Sequence, residues 1–153
     1  MREILFRGKR MGNGKWYFGS YLFIHVQNCD WTGARKGPAE DVHYIIDASD
    51  INIAVNPTTV GQYTGKCDKA GTRAFEHDCI QELNGDAIGV IRYGEYRNPF
   101  DDLSTCHIGF YVDWISGENK DVLRKDLGYW LNLVEIIGNI HDNPELLEGG
   151  DEK

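Results

Sequence analysis

Short runs of apolar residues, many of them alternating with polar ones and separated by turn residues, predict strands along most of the chain. Leu5 and Phe6 give apolar weight to a first strand over residues 3–10. Gly12-Asn13-Gly14 then predicts a hairpin, because both positions of an Asn-Gly pair accept positive φ. The return strand is residues 15–18, Gly19 reads as a bend, and the aromatic and β-branched run at 21–26 reads as another strand. Residues 28–40 are polar and glycine-containing, with Arg35 and Lys36 at their centre, and read as an exposed loop. Strands are predicted at 42–46 and 51–55, the second stopped by Asn56-Pro57.

The stretch from Val60 to Ile80 organises the rest. Residues 62–64 and 72–75 read as extended pieces around a turn-rich loop at 65–71, ending in Glu76-His77-Asp78. A second Asn-Gly step, Asn84-Gly85, predicts pairing of 79–83 with 87–93. Residues 97–104 read as a loop. Residues 108–115 form a strand with Phe110, Val112 and Trp114 on one face. Residues 119–131 are the one long helix candidate, weakened at Gly128 by roughly 1 kcal/mol relative to alanine, so a short helix or a decorated loop both fit. A last strand at 134–140 is interrupted by Gly138, the place for a bulge, and Asn143-Pro144 reads as the cap and first residue of a helical turn. Residues 148–153 read as a disordered charged tail.

Composition narrows the function classes. A chain of 153 residues is one domain or two small β units, able to fold without disulfides or metal. Eighteen glycines against four prolines suit short strands and tight turns. The net charge of −8 disfavours non-specific binding to duplex DNA, which needs a cationic surface to release counterions. Cys29, Cys67, Cys79 and Cys106 lack CxxC spacing, and His77-x-Cys79 and Cys106-His107 are too sparse for a metal site. No cofactor is expected. The start has no signal-peptide apolar region and no run spans a bilayer, so a cytoplasmic protein with reduced thiols and no membrane partner is expected.

Three segments resemble the YopX-like proteins of phages and prophages. They are Met1 to Lys9 followed by Lys15-Trp16-Tyr17-Phe18-Gly19, then Thr59 to Gly65 with Asp68-Lys69-Ala70-Gly71, and last Ile136 to Ile140 with Asn143-Pro144-Glu145-Leu146. The resemblance covers nearly the whole chain. It implies a mainly β protein with a small SH3-like β-barrel, an N-terminal β portion that self-associates, and no known reaction. With the strand count it gives an N-terminal β portion over 1–58, a barrel portion over 59–147, and at most one or two short helices. The family usually reads Glu-Gly-Asp at Glu76-His77-Asp78. If that glycine has positive φ, His77 must tolerate it. The family also tends to be aliphatic at Cys67 and Ala74.

No catalytic constellation stands out. Glu76 and Asp78 share a face if extended and are the one candidate acid–base pair, but carboxylates capping a turn explain them better. His25 and His43 lie in strands without a nucleophile at motif spacing, and read as packing residues. The aromatic residues Trp16, Tyr17, Tyr21, Tyr63, Tyr93, Tyr96, Tyr111 and Trp130 exceed what one small core absorbs, which favours a homo-oligomer interface over base stacking. The expected protein is therefore a non-catalytic binding or assembly module, with itself or a phage or host protein as partner. A nucleic-acid accessory role using Tyr63, Arg73, Arg92, Tyr93 and Arg97 ranks second, and a hydrolase using Glu76 and Asp78 third.

Overall fold

The computed structural model describes residues 1–49 and 51–150, with side chains through 148. Part of the predicted tail, 151–153, lies outside the described residues. The fold is mainly β: ten strands, one four-residue α-helix and three 3-10 turns among the described residues. The chain divides between Gln62 and Tyr63 into two compact units. No helix among the described residues is long and apolar enough to cross a membrane.

The first unit is an antiparallel sheet of β1 (Phe6–Lys9), β2 (Trp16–Val26), β3 (Glu40–Ile46) and β4 (Asn52–Ala54) in the order β4-β3-β2-β1. The first two residues of β5 (Gly61–Cys67) add to β1, pairing Phe6 with Gln62. Where the sequence predicts two strands bent at Gly19, there is one strand of eleven residues. Gly19 is required for a different reason. A Cβ there would run into the Ile46 carbonyl oxygen, so the glycine marks close backbone approach rather than a bend. Ile45, Ile53 and Val55 form the buried core, with Phe6, Tyr17, Tyr21 and Val60 packed against them. Asn56 ends β4 and caps a 3-10 turn at Pro57–Thr59, its side chain accepting from the Thr58 N–H.

The second unit holds the rest of β5, paired with β6 (Arg73–Phe75), and a four-stranded sheet. That sheet comprises β7 (Asp78–Glu82), β8 (Ile88–Tyr96), β9 (His107–Ser116) and β10 (Val134–Asn139), ordered β10-β7-β8-β9. The expected SH3-like barrel does not close among the described residues, and both outer edges show why. The free side of β9 is taken by the segment around Asp126, with Val112 N–H donating to the Lys125 carbonyl and Tyr111 bridging Asp126. On β10, the Ile136 N–H donates to the Asp68 carboxylate at 2.9 Å instead of to a strand. β10 carries the predicted bulge, a register shift between Ile136 and Gly138.

The helix candidate at 119–131 resolves into a 3-10 turn at Lys120–Val122 and α1 (Leu127–Trp130), with extended backbone at Leu123 and Asp126. Tertiary bonds outweigh helical periodicity here. The indole N–H groups of Trp114 and Trp130 both donate to the Arg124 carbonyl, at 2.9 and 2.6 Å, and the rings meet edge to face at 4.9 Å. A helical Arg124 would direct that carbonyl along its own axis. Ala74, Ile80, Ile91, Val112, Leu127, Leu131 and Val134 complete this core, all nearly inaccessible.

Candidate functional site

The five residues singled out for nucleic-acid contact fall into separate settings. Tyr63 on β5 is only 6% exposed, tilted against Phe75 at 5.4 Å, with Arg73 of β6 stacked over its ring at 5.5 Å. Arg92 and Tyr93 are neighbours on β8 and so face opposite sides of the sheet. Arg92 Nε lies 3.0 Å from Asp113 Oδ2, while Tyr93 is 57% exposed and rests edge-on against Phe110. Arg97 lines a separate recess of about 240 Å³ with Pro99, Trp114 and Lys125. The structure thus brings Tyr63 to Arg73 but turns Arg92 away from Tyr93, a separation that the period of two already carries in the sequence.

The Glu76-His77-Asp78 step is a turn built from backbone hydrogen bonds. His77 has φ 71°, the one positive-φ non-glycine among the described residues, so the histidine does hold the left-handed conformation at this turn. Its N–H donates to the Ile91 carbonyl at 2.8 Å and its carbonyl accepts from Ile140 N–H at 3.0 Å. Asp78 is buried and its Oδ2 accepts from Phe75 N–H at 2.8 Å, so this carboxylate caps the turn. The His77 ring lies edge-on to that of His141, with His77 Nδ1 3.1 Å from His141 Nε2. Beside it, burial and then the Asp78 charge push the Cys79 thiol up to about 11, which leaves it protonated near neutrality. No three of the described His, Cys, Asp and Glu residues are grouped to hold a metal ion.

On the β8–β9 sheet, Tyr96 stacks between His107 and Tyr111 at 5.1 and 5.2 Å and donates to Asp126 Oδ1 at 2.5 Å. Burial and that hydrogen bond push the phenol up to about 12. Buried Asn98 donates to the other Asp126 oxygen and accepts from Lys125 N–H, while Asp101 takes Asn98 N–H and the His107 ring. Arg124 Nε also lies 2.9 Å from Asp126 Oδ2, but too far off its N–H direction for a hydrogen bond, so the contact is an ion pair. Its guanidinium is stacked by Phe100 and Tyr129. This network fastens the 97–106 loop and the 124–126 segment. Both carboxylates in it, Asp101 and Asp126, are engaged in holding the backbone, a side chain or an ion pair.

The first unit presents the larger apolar surface. Leu22↔Tyr44, Ile24↔Val42 and Ser20↔Ile46 pair across β2 and β3, which puts Leu22, Ile24, Val42, Tyr44 and Ile46 on one face with Phe18. Phe18 is 48% exposed, Leu22 and Ile24 are exposed, and the three β3 residues are half-buried. Tyr21, Phe23 and His43 stack on the opposite face, and His25 pairs with Asp41 at 2.6 Å near the ribbon's end, so neither histidine is set beside a nucleophile. Beyond the ribbon lies Trp31, 96% exposed. It sits in a turn closed by Asp30, whose Oδ1 accepts from Thr32 N–H, Thr32 hydroxyl and Ala34 N–H. The strand pattern passes over Trp31 because its neighbours are loop residues. The signal that finds it is a lone tryptophan where nothing else is apolar.

No curated protein matches the chain. The family model described as YopX protein matches residues 5–148, which overlap all three segments of the sequence resemblance. With nearly its whole length matched, the chain belongs to the YopX family.

Proposed function

We propose that this phage-derived protein is a non-catalytic module that assembles with copies of itself through its N-terminal unit. The observation carrying this reading is the partly exposed apolar face of Phe18, Leu22, Ile24, Val42, Tyr44 and Ile46, on which Leu22 and Ile24 are the exposed aliphatic residues. A sheet normally buries one apolar face against a second layer, and this unit already spends its other face on Ile45, Ile53 and Val55. Leaving large aliphatic residues in water on the second face has a use when another surface covers them. The stretch of β2 from Ser20 to Ile24 carries no charged side chain. Two copies, each at −8, can therefore meet there without opposing like charges. Turn-capping by Asp78 and the engaged carboxylates around Asp126 favour structural over catalytic roles for these acids.

Light scattering over a micromolar concentration series is expected to give a mass above one chain. Leu22→Lys with Ile24→Lys, both at exposed positions, is expected to give the monomer mass with an unchanged circular dichroism spectrum. A wild-type protein that stays monomeric throughout would remove the reading.

A further inference from the structure

We propose that the second unit binds a partner protein through a groove at Arg124, which takes an extended peptide presenting an acidic and an apolar side chain together. The groove has a volume of about 390 Å³ and is lined by Phe100, Val122, Leu123, Arg124, Tyr129 and Trp130. Phe100, Val122 and Tyr129 are each more than half exposed, so its apolar wall stands open to solvent. All six residues belong to the second unit, and the proposal is independent of the self-association assigned to the first.

Arg124 is the one charged residue in that lining. Its guanidinium stacks on Phe100 at 5.0 Å and on Tyr129 at 5.2 Å. Nε makes no hydrogen bond, and among the described residues none is made by the terminal amino groups either. Asp126 offers Nε a charge at 2.9 Å, while its oxygens take their hydrogen bonds from Tyr96 and Asn98. The ion pair and the two rings therefore orient the guanidinium and leave its donors unused. A planar fork held in this way matches a carboxylate through two parallel bonds. The walls are also set beforehand. Phe100 belongs to a loop closed by Asp101 on the Asn98 N–H and by Asp102 on the Ser104 and Thr105 N–H groups. The Trp130 indole donates to the Arg124 carbonyl. Side chains already held in place lose little further freedom on docking.

One cation among apolar and aromatic residues suits one anion with an apolar neighbour. A nucleic-acid strand brings a phosphate with every nucleotide and needs a track of cations. Here Asp101, Asp102 and Asp121 adjoin lining residues in the chain and oppose such a strand. The Val122 and Tyr129 N–H groups are bonded to the Asn119 and Asp126 carbonyls, so they supply no backbone nest for a terminal carboxylate. An acidic side chain inside the peptide fits both conditions. In an extended peptide the residue two positions away points to the same side, which lays an apolar side chain against Phe100, Val122 and Tyr129.

The probes are capped pentapeptides, Gly-X-Ser-Glu-Gly and Gly-Glu-Ser-X-Gly, with X as Leu, Ile, Phe or Met, titrated into isotope-labelled full-length protein. For at least one of them the Trp130 indole N–H resonance is expected to move saturably, with those of Trp16 and Trp31 still and a dissociation constant below about 1 mM. Replacing its Glu by Gln is expected to weaken binding about tenfold or more. Arg124→Lys, which keeps the charge and loses the fork, is expected to bind the two forms about alike. Val122→Glu, at an exposed position, is expected to lose binding with an unchanged circular dichroism spectrum, and it carries the test even where Arg124→Lys unsettles its segment. The proposal is overturned if no peptide moves the Trp130 resonance, if the Glu and Gln forms bind alike, or if Val122→Glu binds as before. It is overturned equally if oligothymidine binds more tightly than every peptide, or if Val122→Glu lowers the oligomer mass, which assigns the groove to a second copy. A monomeric wild type removes the self-association and leaves the peptide binding expected.

Discussion

His77 shows how much one φ angle can ask of a side chain. At 71° it occupies the left-handed region, which histidine visits more readily than most residues and β-branched residues almost never. The turn is pinned by bonds to Ile91 and Ile140, so the backbone cannot relax away. His77→Val is therefore expected to lower unfolding stability by about 2 kcal/mol in urea titration, whereas His77→Gly changes it by less than about 1 kcal/mol, because relief of strain offsets the lost contact with His141. Tyr96 makes a pH prediction. Its folded pKa is raised to about 12 from an ordinary 10, so the unfolded chain ionises first as pH rises. Stability from this group is whole below pH 10 and drains away between about 10 and 12. Tyr96→Phe is expected to flatten that alkaline limb of the stability curve.

At the scale of elements, strand character is legible wherever pattern and turn chemistry agree. The hairpin after β1, the stop at Asn56-Pro57 and the bulge at Gly138 all appear where local residues ask for them. Two departures have one cause, a long-range contact that the local pattern cannot display. Gly19 reads as a bend because a strand glycine says only that a side chain is unwelcome, and the object in its way, Ile46, lies 27 residues on. The segment around Arg124 reads as helical because Val122, Leu123 and Leu127 are spaced for it. Two indoles and the edge of β9 claim its backbone instead. Gly19→Ala, harmless on propensity grounds, is thus expected to cost about 1–3 kcal/mol in chemical denaturation, since the added methyl must push two strands apart.

On the scale of the molecule, the candidate surface is less legible than the fold. Composition announces surplus aromatic residues but not which ones stay outside. Tyr63 and Trp130 go into the core, while the most exposed aromatic, Trp31, is not among those the strand pattern singles out. The two units are also unequally provided for. The first has Ile45, Ile53 and Val55 as its buried centre, and the second a far broader one built around two tryptophans. On the self-association proposed above, a unit with so small a centre is stabilised by the copy that covers its outer face. Amide exchange at Ile45 and Ile53 is therefore expected to slow as protein concentration rises, with exchange at Val90 and Val112 unaffected. Equal concentration dependence at all four amides would contradict it. The second unit can be followed in the same samples by light alone. Two indoles held edge to face within 5 Å, hydrogen-bonded to one oxygen, couple their electronic transitions. Their signature in near-ultraviolet dichroism vanishes once the Arg124 segment lets go, which gives the protein a native gauge of that unit's integrity with no label attached.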